Sequence, residues 1–157
     1  MSKERLAIYL NDHLMGAAAA LEIVDQFITE APDLQAVLTE LKADIEADRE
    51  ELTKLMNRLD IAESRIKRAG GWLAEQVAEL KFAMEDESLR RLERLEALAL
   101  GIEGKLRLWR ALDAASNFNK DLAGVDYSRL AQRALDQHNH VETLRIDAAM
   151  SALTVAA

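Results

Sequence analysis

Five side chains in this sequence have the chemistry of metal ligands in helical proteins: His13, Asp48, Glu103, His138 and Glu142. Imidazole and carboxylate groups that project inward from facing helices are the usual ligands of metals bound inside helical bundles. His138 and Glu142 are four residues apart and therefore share one face of a helix. By ligand type, a site made of three or four of these residues would suit zinc, iron or manganese.

Asp48 is the most informative of the five, because it interrupts an apolar seam. Apolar residues recur at alternating steps of four and three on either side of it, a repeat near 3.5 that is typical of packed helices. The seam consists of Leu34, Leu38, Leu41, Ile45, Leu52, Leu55 and Leu59. A carboxylate on such a seam is costly to bury unless another group pairs with it.

His13 is the partner that we predict for Asp48. Both residues lie about 17 or 18 residues from the turn at Pro32, which at 1.5 Å per residue is roughly 26 Å along each helix. We therefore expect His13 and Asp48 to be close, directly or through a water. We prefer this structural pair, with Glu103, His138 and Glu142 facing solvent, and keep the metal site as the alternative.

The composition predicts an all-α protein that positions these residues. Half of the 157 residues are apolar, mainly Leu and Ala, whereas only 4% are aromatic, and there is one proline. Sheets favour β-branched and aromatic residues, whereas Leu and Ala favour helices. The chain has no cysteine, which excludes a thiol nucleophile, a disulfide and a thiolate-bound metal.

Five helices follow from the apolar spacing and the capping residues. The expected helices are Ser2 to Thr29, the seam helix from Pro32 to Leu59, Asp60 to Met84, Leu89 to Ala115, and a last helix capped by Asp126 and followed by a small apolar tail from Ser151. Asp60 and Glu63 have the spacing of a capping box. The predicted fold is a single domain, residues 1–157, in which four long helices and a fifth C-terminal helix form an antiparallel up-and-down bundle.

Glycines concentrate at the level of Asp48 in this predicted bundle. Five of the six fall there, namely Gly16, Gly70, Gly71, Gly101 and Gly104. Glycine inside a helix costs up to ~1 kcal/mol relative to alanine. The pattern therefore predicts either a close approach of the helices or a pocket at mid-bundle.

Several classes of function are disfavoured by what the sequence lacks. It has no Gly-rich phosphate loop, no Gly-x-Ser-x-Gly elbow and no His-Glu-x-x-His motif. Arginines and lysines cluster near residues 65–68 and 90–94, but acidic residues are interleaved and the net charge is −8, so we expect no nucleic-acid partner. No apolar run approaches ~20 residues and there is no signal-peptide core, so we expect a cytoplasmic protein without a membrane segment.

The chain resembles the ferritin-like class of bacterial helical bundles in its long helices and inward polar residues. The stretches Tyr9 to His13 and Glu96 to Lys105 are also similar to an uncharacterised bacterial family. The ferritin-like resemblance implies a di-iron centre with two Glu-x-x-His pairs, and this sequence has no Glu-x-x-His. The link between the second and third predicted helices is also too short for the long crossover of that class.

We expect from the sequence a non-catalytic protein. The expected role is that of a small cytoplasmic helical bundle that acts through protein contacts, including self-association, or through a mid-bundle pocket. The alternative is a ferritin-like metal-binding or redox protein with an altered site at His13, Asp48, Glu103, His138 and Glu142.

Overall fold

All regular secondary structure in the described chain is helical. The computed structural model describes residues 3–64 and 86–154. It contains four long helices, α1 (Lys3–Glu30), α2 (Gln35–Arg58), α3 (Glu87–Ser116) and α4 (Tyr127–Leu153), with single 3₁₀ turns at Pro32–Leu34 and Lys120–Leu122. These ranges contain no β-strand, and the all-α prediction is confirmed. Most of the predicted helix between Asp60 and Met84, with Gly70, Gly71 and the basic residues 65–68, lies outside the described residues.

The first two helices form an antiparallel hairpin. Pro32 lies in the first turn after α1, where its missing N–H is no loss, and Leu34 N–H donates to the Ala31 carbonyl at 2.9 Å. Lys42 and Asp25 form an ion pair of 2.7 Å on the turn side of the hairpin. At its other end, an ion pair of 3.2 Å joins Lys3 to Asp60, so the two helices remain in contact along their length.

Capping residues and a buried tyrosine stabilise the ends of α3 and α4 and the connection between these two helices. Asp126 accepts a hydrogen bond from the Arg129 backbone N–H at 3.0 Å, which confirms its predicted role as the cap of α4. Asp86 caps α3 in the same way. The Tyr127 hydroxyl donates to the Leu122 carbonyl at 2.7 Å, and because Leu122 is fully buried, the α3–α4 connection is anchored to the core.

Among the described residues, the core consists of two apolar clusters along the helices. The first lies towards the Pro32 turn and includes Phe27, Leu38, Ile45, Leu95, Ile102 and Val141. The second lies towards the other end and includes Leu10, Leu52, Met56, Leu106, Trp109, Leu130 and Ala134. Burial of a side chain of this size contributes about 1.5–3 kcal/mol. The predicted α2 seam provides residues to both clusters, and Asp48 lies between them in sequence.

The predicted helix start at Asp60 is wrong. Asp60 adopts a left-handed backbone conformation with φ of 52°, which ends α2, and residues 61–64 are not helical. The physical reason is first a local C-cap of α2, in which the Ile61 N–H donates to the Met56 carbonyl at 2.9 Å. Asn11 of α1 then binds the residues that follow: its amide donates to the Ala62 carbonyl at 3.2 Å, and its oxygen accepts from the Ser64 N–H at 2.6 Å. Together these bonds give residues 61–64 a non-helical path at positions where local spacing predicts a capping box.

Replacing Asn11 with alanine should lower the free energy of unfolding by about 1–3 kcal/mol, because the Ala62 and Ser64 backbone groups lose a partly buried partner. Urea denaturation followed by circular dichroism measures the change. The control is Asn139→Ala, an exposed position on α4 where we expect a change within about 0.5 kcal/mol. Equal losses in the two variants would show that the Asn11 clamp contributes nothing.

Candidate functional site

The carboxylate of Asp48 is the centre of a buried polar network. Asp48 lies on the α2 seam, which faces the core, and the residue is only 2% exposed. Its Oδ2 accepts hydrogen bonds from Lys105 Nζ of α3 at 2.5 Å and from Gln137 Nε2 of α4 at 3.3 Å, and its Oδ1 accepts from the guanidinium of Arg133, also on α4. We call these four residues the Asp48 network.

The other members of the Asp48 network also contact one another. Lys105 Nζ donates a second hydrogen bond to Gln137 Oε1, so both ends of the Gln137 amide are used. The side chains of Lys105 and Arg133 are 14% and 28% exposed, which places both charges largely inside the protein. Two cations therefore face one carboxylate, and all three charges are partly or fully withdrawn from water.

The Asp48 network forms a polar layer between the two apolar clusters. Asp48 follows Ile45 of the first cluster and precedes Leu52 of the second. In the same way Lys105 lies between Ile102 and Leu106 on α3, and Gln137 lies between Ala134 and Val141 on α4. Three helices thus place a polar residue at the same level of the core.

Burial and charge act in opposite directions on Lys105. Desolvation lowers the pKa of Lys105 below its ordinary value, and the positive charge of Arg133 lowers it further. The carboxylates of Asp48 and Asp44 raise it, but by less than burial and Arg133 together lower it. The Lys105 ammonium therefore depends on Asp48 for its charged state inside the core.

A groove lies beside the Asp48 network, on the surface between α2 and α4. Its volume is about 300 Å³, and Arg133 and Gln137 line it, so two members of the network also form part of its wall. The remaining lining residues are Val37, Leu38, Glu40, Leu41, Asp44, Leu95, Asp136, His140, Val141 and Leu144. We call this the α2–α4 groove; buried leucine and valine side chains form its floor and charged residues form its rim.

His13 and Asp48 are not joined by a direct hydrogen bond, so of the two predicted contacts only the one through a water stays a prediction. Asp48 accepts instead from two cations and an amide, which neutralise a buried carboxylate more effectively than a neutral imidazole can. The His13 ring is half-buried and lies edge-on to Tyr9, with ring centroids 4.8 Å apart. Within residues 3–64 and 86–154, His13 forms no hydrogen bond.

The other predicted metal ligands are engaged elsewhere. Glu103 pairs with Arg107 of the same helix at 3.0 Å, and Glu142 pairs with Arg145 at 2.7 Å. His138 lies on the same helix as Glu142, and its charge lowers the pKa of that glutamate less than Arg145 does. In the part of the chain that the structure describes, no three His, Asp or Glu side chains are grouped so that they could hold a metal ion.

Lys105, Arg133 and Gln137 are the site residues that sequence reasoning missed. Counting residues from the turns places the level of Asp48 near Leu100 on the helix that became α3, only five positions before Lys105. The available signal was the position of Lys105 between two apolar seam residues, Ile102 and Leu106. A lysine inside a seam predicts a buried acidic partner by the same argument that applies to Asp48.

The described mid-bundle glycines do not mark tight packing, and two arginines at the start of α3 form ion pairs with other parts of the chain. A Cβ placed on Gly16 or Gly104 would meet no described atom within 4 Å, and one on Gly101 would make ordinary contact with Ala20, so these three glycines are not needed for tight packing against the described atoms. The arginines at the start of α3 pair with the C-terminal end of α1 and the turn after it. Arg94 binds Glu30 at 2.7 Å, and Arg91 binds Asp33.

The surface of α4 carries an apolar stripe near its C-terminal end. Ile146, Met150 and Leu153 are 44%, 56% and 69% exposed and are spaced to share one helix face. This stripe is a surface on which the predicted self-association could occur. Self-association itself stays a prediction.

Comparisons with protein-family models, with curated protein sequences and with solved structures give no significant match to this chain. The resemblance to the ferritin-like class therefore stays a prediction from the sequence. None of the described helices contains a stretch long and apolar enough to cross a membrane. The site must be interpreted from its own geometry.

His13 should make the stability of the protein depend on pH. Burial lowers the pKa of His13 below its ordinary value of 6.5, and the nearby Asp12 opposes this more weakly. The unfolded chain therefore binds the proton more readily. The stability that the neutral His13 ring contributes to the folded protein is fully present above pH 6.5. It decreases as the pH falls below 6.5.

We expect His13→Gln to reduce the loss of unfolding free energy between pH 7.5 and pH 5, measured by urea denaturation at both values. His140→Gln, at an exposed position on α4, is the matched control. An unchanged pH dependence in His13→Gln would contradict the assignment.

Proposed function

We propose that this protein is non-catalytic and acts by binding a ligand in the α2–α4 groove. The observation that supports this most strongly is the groove itself. Its volume is about 300 Å³, its floor is apolar, and two residues of the Asp48 network form part of its wall. Binding sites are commonly concave, mostly apolar and provided with a few fixed polar groups. Arg133 and Gln137 are such groups, because the network holds their side chains in place.

The fold that we propose for this binding protein is the antiparallel up-and-down bundle of four long helices and a fifth. Its support is the set of contacts between neighbouring helices. Lys42 with Asp25 joins α2 to α1, and Arg145 with Glu96 joins α4 to α3. Arg94 with Glu30 joins α3 to α1. We propose the cytoplasm as its location.

The internal pairing of the Asp48 network supports a role in binding rather than in catalysis. Both oxygens of Asp48 accept hydrogen bonds from other members of the network. Lys105, the one amine in the network, donates to two of them. A general base or nucleophile needs a free lone pair directed at a substrate, and these groups are already engaged. The alternative of a ferritin-like metal or redox protein has no ligand group in the described ranges to support it.

An uncharged dye that fluoresces in apolar surroundings, Nile red, tests this proposal. We expect saturable binding at one site per chain and roughly tenfold weaker binding to Val37→Glu, because Val37 lines the groove and a carboxylate there opposes apolar contact. The matched control is Ala36→Glu, which adds the same charge at the preceding, exposed position.

Fluorescence titration of the unaltered protein and the two variants gives the dissociation constants. The proposal predicts that Ala36→Glu binds the dye as the unaltered protein does. Absence of saturable binding, or equal weakening in both variants, would show that the α2–α4 groove is not a binding site.

A further inference from the structure

The rim of the α2–α4 groove carries carboxylates that the protein itself does not neutralise. Glu40 and Asp44 lie on the α2 side, and Asp136 lies on the α4 side. Within residues 3–64 and 86–154, none of the three forms an ion pair. Asp136 accepts one hydrogen bond, from the neutral amide of Gln132 at 2.9 Å. The rim therefore offers negative charge to whatever enters the groove.

The positive groups near the groove are engaged by Asp48. The guanidinium of Arg133 is bound to Asp48, and Lys105 is bound to both Asp48 and Gln137. Arg133 is part of the groove wall, and Lys105 lies within electrostatic reach of Asp44, but neither forms an ion pair with a rim carboxylate. A net charge of −8 for the whole chain adds to the negative potential that an approaching ligand meets.

The floor of the groove has the opposite character. Leu38, Leu41, Leu95 and Val141 are all buried core residues, between 0% and 8% exposed, and all four line the groove. A ligand that fits must therefore place hydrocarbon on the floor and positive charge at the rim. About 300 Å³ corresponds to the lower end of the range for small-molecule sites.

We propose that the α2–α4 groove binds a linear aliphatic amine, that is, a hydrocarbon chain with an ammonium group at one or both ends. The methylenes contact the leucine and valine floor, and each ammonium donates to carboxylates on the rim. An ammonium has three N–H donors and no acceptor, which matches a rim of carboxylates. This inference rests on the proposed function, because it requires that the groove is a binding site.

The placement of the carboxylates favours a diamine over a monoamine. Glu40 and Asp44 are four residues apart on α2, which corresponds to about 6 Å along the helix axis. Asp136 provides a third carboxylate from the opposite wall. The rim therefore offers carboxylates at more than one position, so a second ammonium on the chain has an acceptor that a monoamine leaves unused.

Four probes of the same chain length separate charge from hydrocarbon contact: 1,8-diaminooctane, octylamine, 1-octanol and octanoate. Isothermal titration calorimetry at low ionic strength gives their affinities for the intact protein. We expect the diamine to bind most tightly, followed by octylamine, then the alcohol, with octanoate weakest. An alcohol or carboxylate that binds as tightly as the diamine would overturn the proposal.

A matched pair of triple variants tests the rim. Glu40→Gln with Asp44→Asn and Asp136→Asn should weaken 1,8-diaminooctane roughly tenfold and leave 1-octanol unchanged, because three exposed ion pairs are lost. The control combines Glu4→Gln, Glu87→Gln and Asp113→Asn, three exposed carboxylates outside the groove. This control changes the net charge by the same amount as the rim variant. Its affinity for the diamine should stay within about twofold of that of the unaltered protein. Equal weakening in both variants would indicate long-range attraction only and would overturn the proposal.

The outcomes also separate this inference from the proposed function. If Nile red binds in the groove but the amines bind no better than 1-octanol, the inference fails and the proposed function stands. A groove that is occupied by a second copy, or by another part of the chain, would bind none of the probes. That result would overturn both.

Discussion

The structure depends on the neutralisation of one buried carboxylate. Asp48 is almost completely withdrawn from water, and an unpaired charge in that position would be prohibitively costly. The compensating groups come from two other helices, Lys105 from α3 and both Arg133 and Gln137 from α4. Three helices that are separated in sequence must therefore meet at one level before the Asp48 carboxylate is neutralised.

This requirement gives the apolar clusters a fixed register. Leucine-rich helix faces can slide past one another with little change in buried area, because one leucine replaces another. A shift of α2 by one turn would leave Asp48, Lys105 and Arg133 buried and unpaired. We hypothesise that the polar layer determines how the helices align and contributes little net stability, as for other buried ion pairs.

The same layer connects the fold to the proposed function. Arg133 and Gln137 belong to the Asp48 network and also form part of the groove wall. Their side chains are held before any ligand arrives, so little conformational entropy is lost on binding.

The sequence predicts the local features of this architecture well and the long-range ones less well. The α2 seam, the cap at Asp126 and the exceptional character of Asp48 could be read from spacing, because each depends on neighbours within a few turns. The partners of Asp48 are less accessible from the sequence. The position of Lys105 inside a seam marks it as a buried cation, but residue counts along helices do not show which helices face one another. The residues after Asp60 show the same limit, because Asn11 binds Ala62 and Ser64 from about fifty residues away.

A double-mutant cycle between Asp48 and Lys105 tests the central claim most directly. Asp48→Asn, Lys105→Met and the double variant keep similar side-chain volumes, and urea denaturation gives the free energy of unfolding of each. If Asp48 is neutralised by Lys105, each single variant loses stability, and the coupling energy between the two sites is at least about 1 kcal/mol. Additive effects, with a coupling energy below about 0.3 kcal/mol, would show that the two charges do not depend on each other and would contradict the account.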